Sequence, residues 1–282
     1  MQGSGDDQRR IWLLAGTGEG PSLAQALLDR GWWVRISVVT SKAAEAYSGL
    51  GVQQLSIGAL AGPAGIASVL EQEGPFTWVL DATHPFATQI TAELQQVCSL
   101  RQQPLLRLGR SAEVGSVFAV LNNLADLEDR RLEGRRVLLA IGARHLALAV
   151  GAAQKAGADP FARVLPSVEG LRAALAVGLP SDQLAVLRPL QGDPPGAIER
   201  ALCCRWSITD VVCRQSGGVT ERLWREICFD RGLRLWLVRP PSDLPGMDTV
   251  VGQRALLERL SDDGLPYTTD VGSDNGGRSG QG

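Results

Sequence analysis

An α/β fold made of two similar halves, each a mostly parallel sheet flanked by helices, follows from three features of the sequence. Apolar stretches of strand length alternate with helix-like stretches of roughly 10 to 15 residues, the pattern of strands buried on both faces. The pattern restarts after residue 134: "RRVLLAIGARH" repeats the form of "RRIWLLAGTGE", and "SITDVVCRQSGG" that of "FTWVLDATHPF". The restart also keeps its spacing. Leu14 to Leu80 is 66 residues against 73 for Leu139 to Val212, and Leu80 to Leu106 is 26 against 25 for Val212 to Leu237.

The elements follow in order. "IWLLA" reads as a buried strand that runs through a glycine turn into the helix "PSLAQALLDRG", with Pro21 in the first turn, where its missing N–H costs nothing. "WVRISVVT" is a second strand and "VQQLSIG" a weaker third. "PAGIASVLEQEG" reads as a helix, "FTWVLD" as a strand, "TQITAELQQVCSL" as a helix, and "PLLRLGR" closes the first half. The expected division is a disordered tail over 1–10, a first domain over 11–110, a linker over 111–134, a second domain over 135–260 and a mostly disordered tail over 261–282. Trp12, Trp78 and Trp236 fall inside strands and are expected in the core.

Composition removes several classes of function. A formal net charge of -2 with no basic tract gives no reason to expect nucleic acid. No apolar run reaches the roughly 18 to 20 residues of a membrane span, and the polar start "MQGSGDDQRR" is not a secretory signal. Five cysteines, at 98, 203, 204, 213 and 228, lack metal-ligand spacing and suit reduced thiols of a cytoplasmic protein. His84 and His145 have no carboxylate cluster beside them, so no metal site is expected. Only Lys42 and Lys155 of the 28 basic residues are lysine. That skew suits either a base-composition bias or a need for guanidinium forks around an anionic ligand.

Ligands of parallel sheets bind beyond the carboxyl ends of the strands. Four loops are expected there: "AGTGEG", "DATHPF", "IGARH" and "RQSGGVT". In the first, Gly16 and Gly18 would let a phosphate approach the backbone at a helix N-terminus, although the third glycine of the dinucleotide fingerprint is replaced by Pro21. After the second strand stand Thr40, Ser41 and Lys42, with no acid for a ribose hydroxyl. Two hydroxyls and an ammonium suit a 2′-phosphate, which favours NADPH. Neither Tyr47 nor Tyr267 has the lysine four residues on that a short-chain dehydrogenase needs, and there is no G-x-S-x-G elbow. The chemistry therefore belongs to the cofactor.

"IWLLAGTGEG", "WVLDATHPFA", "PLLRLGR", "RQSGG" and "LRLWLVRPP", in that order, resemble the precorrin-6A reductase family of cobalamin biosynthesis over about residues 10 to 241. The resemblance implies two Rossmann-like domains with the active site in the cleft between them. It also implies NADPH-dependent reduction of one double bond of precorrin-6A, or of its cobalt complex, to precorrin-6B. By its motifs, Gly16, Thr17, Gly18 and Glu19 would hold the cofactor, and Thr83, Pro85, Phe86, Ser216 and Gly217 the substrate. His84 is the candidate proton donor or loop orienter, because an unperturbed imidazole titrates near neutrality; Asp81 is placed with it among the catalytic residues, with orienting the loop through backbone hydrogen bonds as its expected role. Arg214 and Arg222 replace lysines common in the family, which keeps the charge but changes its shape. The frequent R-P-x-W after the fifth strand is only "RLGRSAE", which gives Arg110 no assigned role. The implied partner is an anionic tetrapyrrole whose carboxylates call for arginines, with Arg144, Arg163, Arg188 and Arg239 as further candidates. A Rossmann-like methyltransferase and a non-catalytic NADP(H) sensor are the alternatives. Oligomeric state is left open.

Overall fold

The computed structural model describes residues 9–110 and 118–262. The first half runs β1 (Arg10–Ala15), α1 (Gly20–Leu28), β2 (Trp33–Val38), α2 (Ser41–Glu45), β3 (Gln54–Ile57), α3 (Gly62–Glu73), β4 (Trp78–Ala82), α4 (Thr88–Leu100) and β5 (Leu105–Gly109). There follow β6 (Phe118–Leu121), β7 (Arg136–Ala140), α5 (Leu146–Lys155), β8 (Asp159–Val164), α6 (Val168–Ala176), β9 (Leu184–Val186) and α7 (Ala197–Arg205). The chain continues with β10 (Asp210–Arg214), α8 (Val219–Arg231), β11 (Arg234–Val238), β12 (Thr249–Val251) and α9 (Gln253–Asp262).

Two six-stranded sheets result, ordered β12-β5-β4-β1-β2-β3 and β6-β11-β10-β7-β8-β9, with every pairing parallel. The halves are therefore the same doubly wound unit, and the strand order reverses at β1/β4 and at β7/β10. The period-2 rule explains why β1 is apolar throughout. Trp12 and Leu14 pack on one face with Ile66 of α3 and Leu94 of α4, while Ile11, Leu13 and Ala15 pack on the other with Leu23 and Leu27 of α1. β7 does the same in the second sheet: Val137 and Leu139 meet Ala149 and Ala153 of α5, and Leu138 meets Trp206 and Trp224. Trp12, Trp78 and Trp236 are buried as expected. Four of the five free cysteines are buried, and Cys204 is exposed.

The boundaries differ from those expected at 111–134 and 135–260. Phe118–Leu121 is the edge strand of the second sheet, and Leu124, Leu127 and Leu132 behind it are core residues, so this stretch is not a linker. At the other end the chain leaves the second half after β11 and returns to the first. β12 pairs with β5, and Leu256, Leu257 and Leu260 of α9 join the core under α1. Each sheet thus takes its sixth strand from sequence next to the other half's fifth. The physical reason is burial: β5 and β11 would otherwise be apolar edges with unpaired N–H groups. Of the expected tails over 1–10 and 261–282, residues 1–8 and 263–282 lie outside the described residues, as do 111–117 of the expected linker, while β1 begins at Arg10 and α9 runs to Asp262.

Candidate functional site

The loops that follow β1, β4 and β5 meet the loops that follow β7 and β10. A methyl added at Gly16 would lie 4.0 Å from the Thr83 Cα and the His84 nitrogen. One at Gly18 would touch the Val219 side chain of the other half at 3.8 Å, and one at Gly217 would come 2.9 Å from the Arg110 Cβ. Gly217 has φ +67°, so glycine is needed there for conformation and for space. Gly20, at the start of α1, packs directly under the Tyr47 phenol, where a Cβ would lie 2.1 Å from the hydroxyl. Gly16 and Gly18 face no such constraint.

The "DATHPF" loop is organised from beneath. Asp81, the penultimate residue of β4, is 1% exposed. Its Oδ1 accepts from the Thr83 backbone N–H at 3.0 Å and the Thr83 hydroxyl at 2.6 Å, and Oδ2 accepts from the Thr91 hydroxyl at 2.7 Å. The same oxygen pairs with Arg107 of β5 at 2.5 Å. Arg107 also bonds Thr91 Oγ1 and reaches Asp243 at 3.3 Å. Asp81 was expected among the catalytic residues. Every contact it makes is inside the protein, so it positions the loop and touches nothing in the cleft.

His84 accepts the Phe86 backbone N–H at Nδ1, 3.2 Å away, which leaves any proton of the neutral ring on Nε2. Burial, then the Arg214 and Arg110 guanidinium groups, push its pKa down to about 4. The premise that it titrates near neutrality therefore fails here: His84 is a neutral hydrogen-bonding group at pH 7. Phe86 stacks obliquely on it, with ring centroids 5.7 Å apart, and carries the Arg214 guanidinium 5.1 Å from its own centroid.

Arg110 holds the loops together. Its Nε donates to Glu19 at 2.6 Å, one terminal nitrogen to the Thr17 hydroxyl at 3.0 Å and the other to the Thr83 carbonyl at 3.4 Å. Glu19, expected at the cofactor, thus has its carboxylate on an arginine. Across the cleft, Glu221 of α8 is 2% exposed and accepts the Ser216 and Gly217 backbone N–H groups at 2.6 and 2.7 Å, while binding Arg225 with its other oxygen. Arg222 donates to the Gly217 carbonyl at 2.8 Å. Arg110 was left without a role by the sequence, and Glu221 was not singled out from it. Glu221 had a signal: an acid three residues after the N-cap Gly218, where a carboxylate reaches back to free N–H groups.

Several clefts open around these loops, three of them of about 220 Å³ or more. One of about 390 Å³ runs from Gly16 past the ends of β2 and β3 to His84, and its far wall includes Arg144. One of about 220 Å³ lies between Thr17, Gly18, His84, Arg110, Ser216 and Thr220. A third, about 330 Å³, is bounded by Pro85, Arg110, Ser216, Gly217, Arg239 and Asp243. Thr40, Ser41 and Lys42 line none of the three. The Thr40 hydroxyl accepts the Ala43 N–H at 3.1 Å as the N-cap of α2, and Lys42, 63% exposed, pairs with Glu45 of the same helix. Thr40 and Lys42 thus have partners on their own helix, outside the cleft lining. Of the other arginines, Arg163 is buried in β8, Arg188 is exposed beyond β9, and Arg239 bonds Asn122 at 2.9 Å. Among the described residues no group of His, Cys, Asp or Glu could hold a metal, and no helix is long and apolar enough to cross a membrane.

Known proteins share this arrangement. The family model described as precorrin-6x reductase CbiJ/CobK matches residues 10–261. A cobalt-precorrin-6A reductase of Synechocystis sp. is 30% identical over 258 residues, covering 86% of this chain and 93% of that protein. A precorrin-6A reductase of Rhodococcus erythropolis is 28% identical over 245 residues, with 86% and 93% covered. Among solved structures, CobK precorrin-6A reductase superposes with a TM-score of 0.70 at 27% identity, covering 90% of this chain and 97% of that one. The match spans both sheets and includes β12 and most of α9, the segments that tie the halves together. On these grounds the chain belongs to the precorrin-6x reductase CbiJ/CobK family.

Proposed function

We propose that this protein is a cytoplasmic NADPH-dependent oxidoreductase that reduces one double bond of precorrin-6A, or of its cobalt complex, to give the precorrin-6B form. The observation that carries the reading is the meeting of "GTGE", "DATHPF" and "RQSGG" around Arg110, in a chain whose relatives bear those names over nearly their full length.

The glycine turn fits a nicotinamide dinucleotide. Gly16 and Gly18 lead into α1, neither has a left-handed backbone, and a Cβ on either would meet only ordinary contacts. The fold does not demand glycine there; a ligand pressed against the backbone would. Gly16→Ala should leave thermal stability unchanged and weaken NADPH binding about tenfold, the steric cost of a methyl at a phosphate contact. Titration calorimetry beside a melting curve separates the two effects, and unchanged affinity would remove the turn from the site.

When bound, the nicotinamide supplies the hydride. The protein's own residues orient the partners and exclude water. Arg110 locks Thr17 to the Thr83 carbonyl, so the two loops of the first half move as one. Thr83, Pro85 and Phe86 would shape the macrocycle side, with Ser216 and Gly217 opposite. The guanidinium of Arg214, which has no carboxylate partner among the described residues, would meet one of the substrate's carboxylates. Arg222, already on the Gly217 carbonyl, would steady that loop. His84 offers a hydrogen bond from Nε2 and orients the site, a role that suits a ring held neutral in the free protein.

The test is anaerobic incubation with NADPH and either precorrin-6A or its cobalt complex, following nicotinamide oxidation and product mass together. A gain of two hydrogens with equal NADPH loss is expected, and the faster substrate decides the cobalt question. NADPH binding without turnover of either form would sink the reading.

A further inference from the structure

The acid-free end of β2 leaves a question the fold makes sharper. A 2′-phosphate bound beside β2 needs a cation, and Lys42 spends its charge on Glu45, away from the cleft. The cleft that runs from Gly16 along Ser37, Val38 and Val39 to the end of β3 is built from the first half, with one exception among its described lining residues. That exception is Arg144, in the turn Ala143–His145 after β7 of the second half.

Arg144 is exposed, and among the described residues it has no ion pair and no hydrogen bond. Its surroundings are cationic as well. Arg214 lies beside Gly142, where a Cβ would be 3.6 Å from a guanidinium nitrogen, and Arg144 is close enough to disfavour the charge on Arg214. The one acid on the same cleft wall, Glu93, accepts from Gln89 at 3.0 Å. A guanidinium on the wall of this cleft, with no carboxylate partner among the described residues and a second guanidinium behind it, calls for an anion from outside.

We infer that Arg144 of the second half is the residue that recognises the 2′-phosphate of NADPH, reaching across the cleft into a nucleotide pocket otherwise made by the first half. This rests on the NADPH-dependent reading above and adds to it: cofactor choice is set by a residue of the opposite domain. The diphosphate stays with the glycine turn and the N-terminus of α1.

Binding constants measured without substrate test this independently of turnover. NADPH and NADH are titrated into wild type, Arg144→Ala, Arg144→Lys and Lys42→Ala by calorimetry, with a melting curve for each. Arg144→Ala should lose about 10- to 100-fold in NADPH affinity, as expected for a charged hydrogen bond, and leave NADH within about twofold. Arg144→Lys should recover part of the loss, and Lys42→Ala should change little. Equal losses for NADPH and NADH would move Arg144 to the diphosphate and overturn the inference. So would unchanged NADPH binding, or a larger loss in Lys42→Ala. If wild type binds neither nucleotide, the cofactor reading itself has failed, a result distinct from these.

Discussion

Asp81→Ala is expected to cost about 3–5 kcal/mol of stability and to abolish activity even in the fraction that folds. Arg107 is 7% exposed, and Asp81 is its buried counter-ion; deleting the carboxylate strands a charge under β4 and frees the Thr83 hydroxyl and N–H. Breaking one partner of a buried pair is much costlier than losing the pair as a whole. The paired variant Asp81→Leu with Arg107→Met should therefore recover most of the stability, but not the loop geometry or turnover. Asp243 tempers the figure. It lies 3.3 Å from the Arg107 Nε and is half exposed, so it can partly replace Asp81. Urea unfolding of the single and double variants checks the argument. A loss below about 1 kcal/mol in Asp81→Ala would mean that Asp243 and solvent satisfy Arg107, and that the loop is held by other means.

That buried pair also marks what sequence alone conceals. β1, β4, β7 and β10 could be read directly because both faces are covered and each carries a central run of apolar residues. β6 and β12, of four and three residues, carry no period of their own, and nothing local says that each joins the sheet it joins. Pro160 within β8 hides a strand that pairs on both sides, since it removes one ladder N–H. In the site, the glycine turn and "DATHPF" were legible as strand-end loops, because polar residues straight after buried strands have no other place to go. The partners of Thr40 and Lys42 were not, because a cap hydrogen bond to the Ala43 N–H and an ion pair with Glu45 form only once α2 is in place. Arg110 and Arg144 could be named from the sequence but not placed. Each lies where the two halves meet, and that docking is a tertiary fact with no local signature.

His84 makes the stability of the protein depend on acid, with the sign set by its lowered pKa. An unfolded histidine titrates near 6.5, and His84 in the fold near 4, because burial and the Arg214 and Arg110 charges oppose the imidazolium. Between those values the unfolded chain binds the extra proton, so stability rises with pH across the window. The contribution is complete above about pH 6.5 and is lost as pH falls toward 4. Two and a half pKa units correspond to about 3 kcal/mol. His84→Asn keeps an acceptor for the Phe86 N–H but has no proton to gain. The difference in unfolding free energy between wild type and this variant should therefore shift by about 2–3 kcal/mol from pH 7 to pH 4.5, wild type losing more. The same neutrality bears on turnover. The lowered pKa belongs to the free protein, so kcat/KM, which reports free-enzyme groups, should show no step near 6.5 from His84. A rate that falls with a pKa near 6.5 in wild type and not in His84→Asn would restore the imidazolium as the acid and require the cleft to be wetter, and less cationic, than its geometry shows.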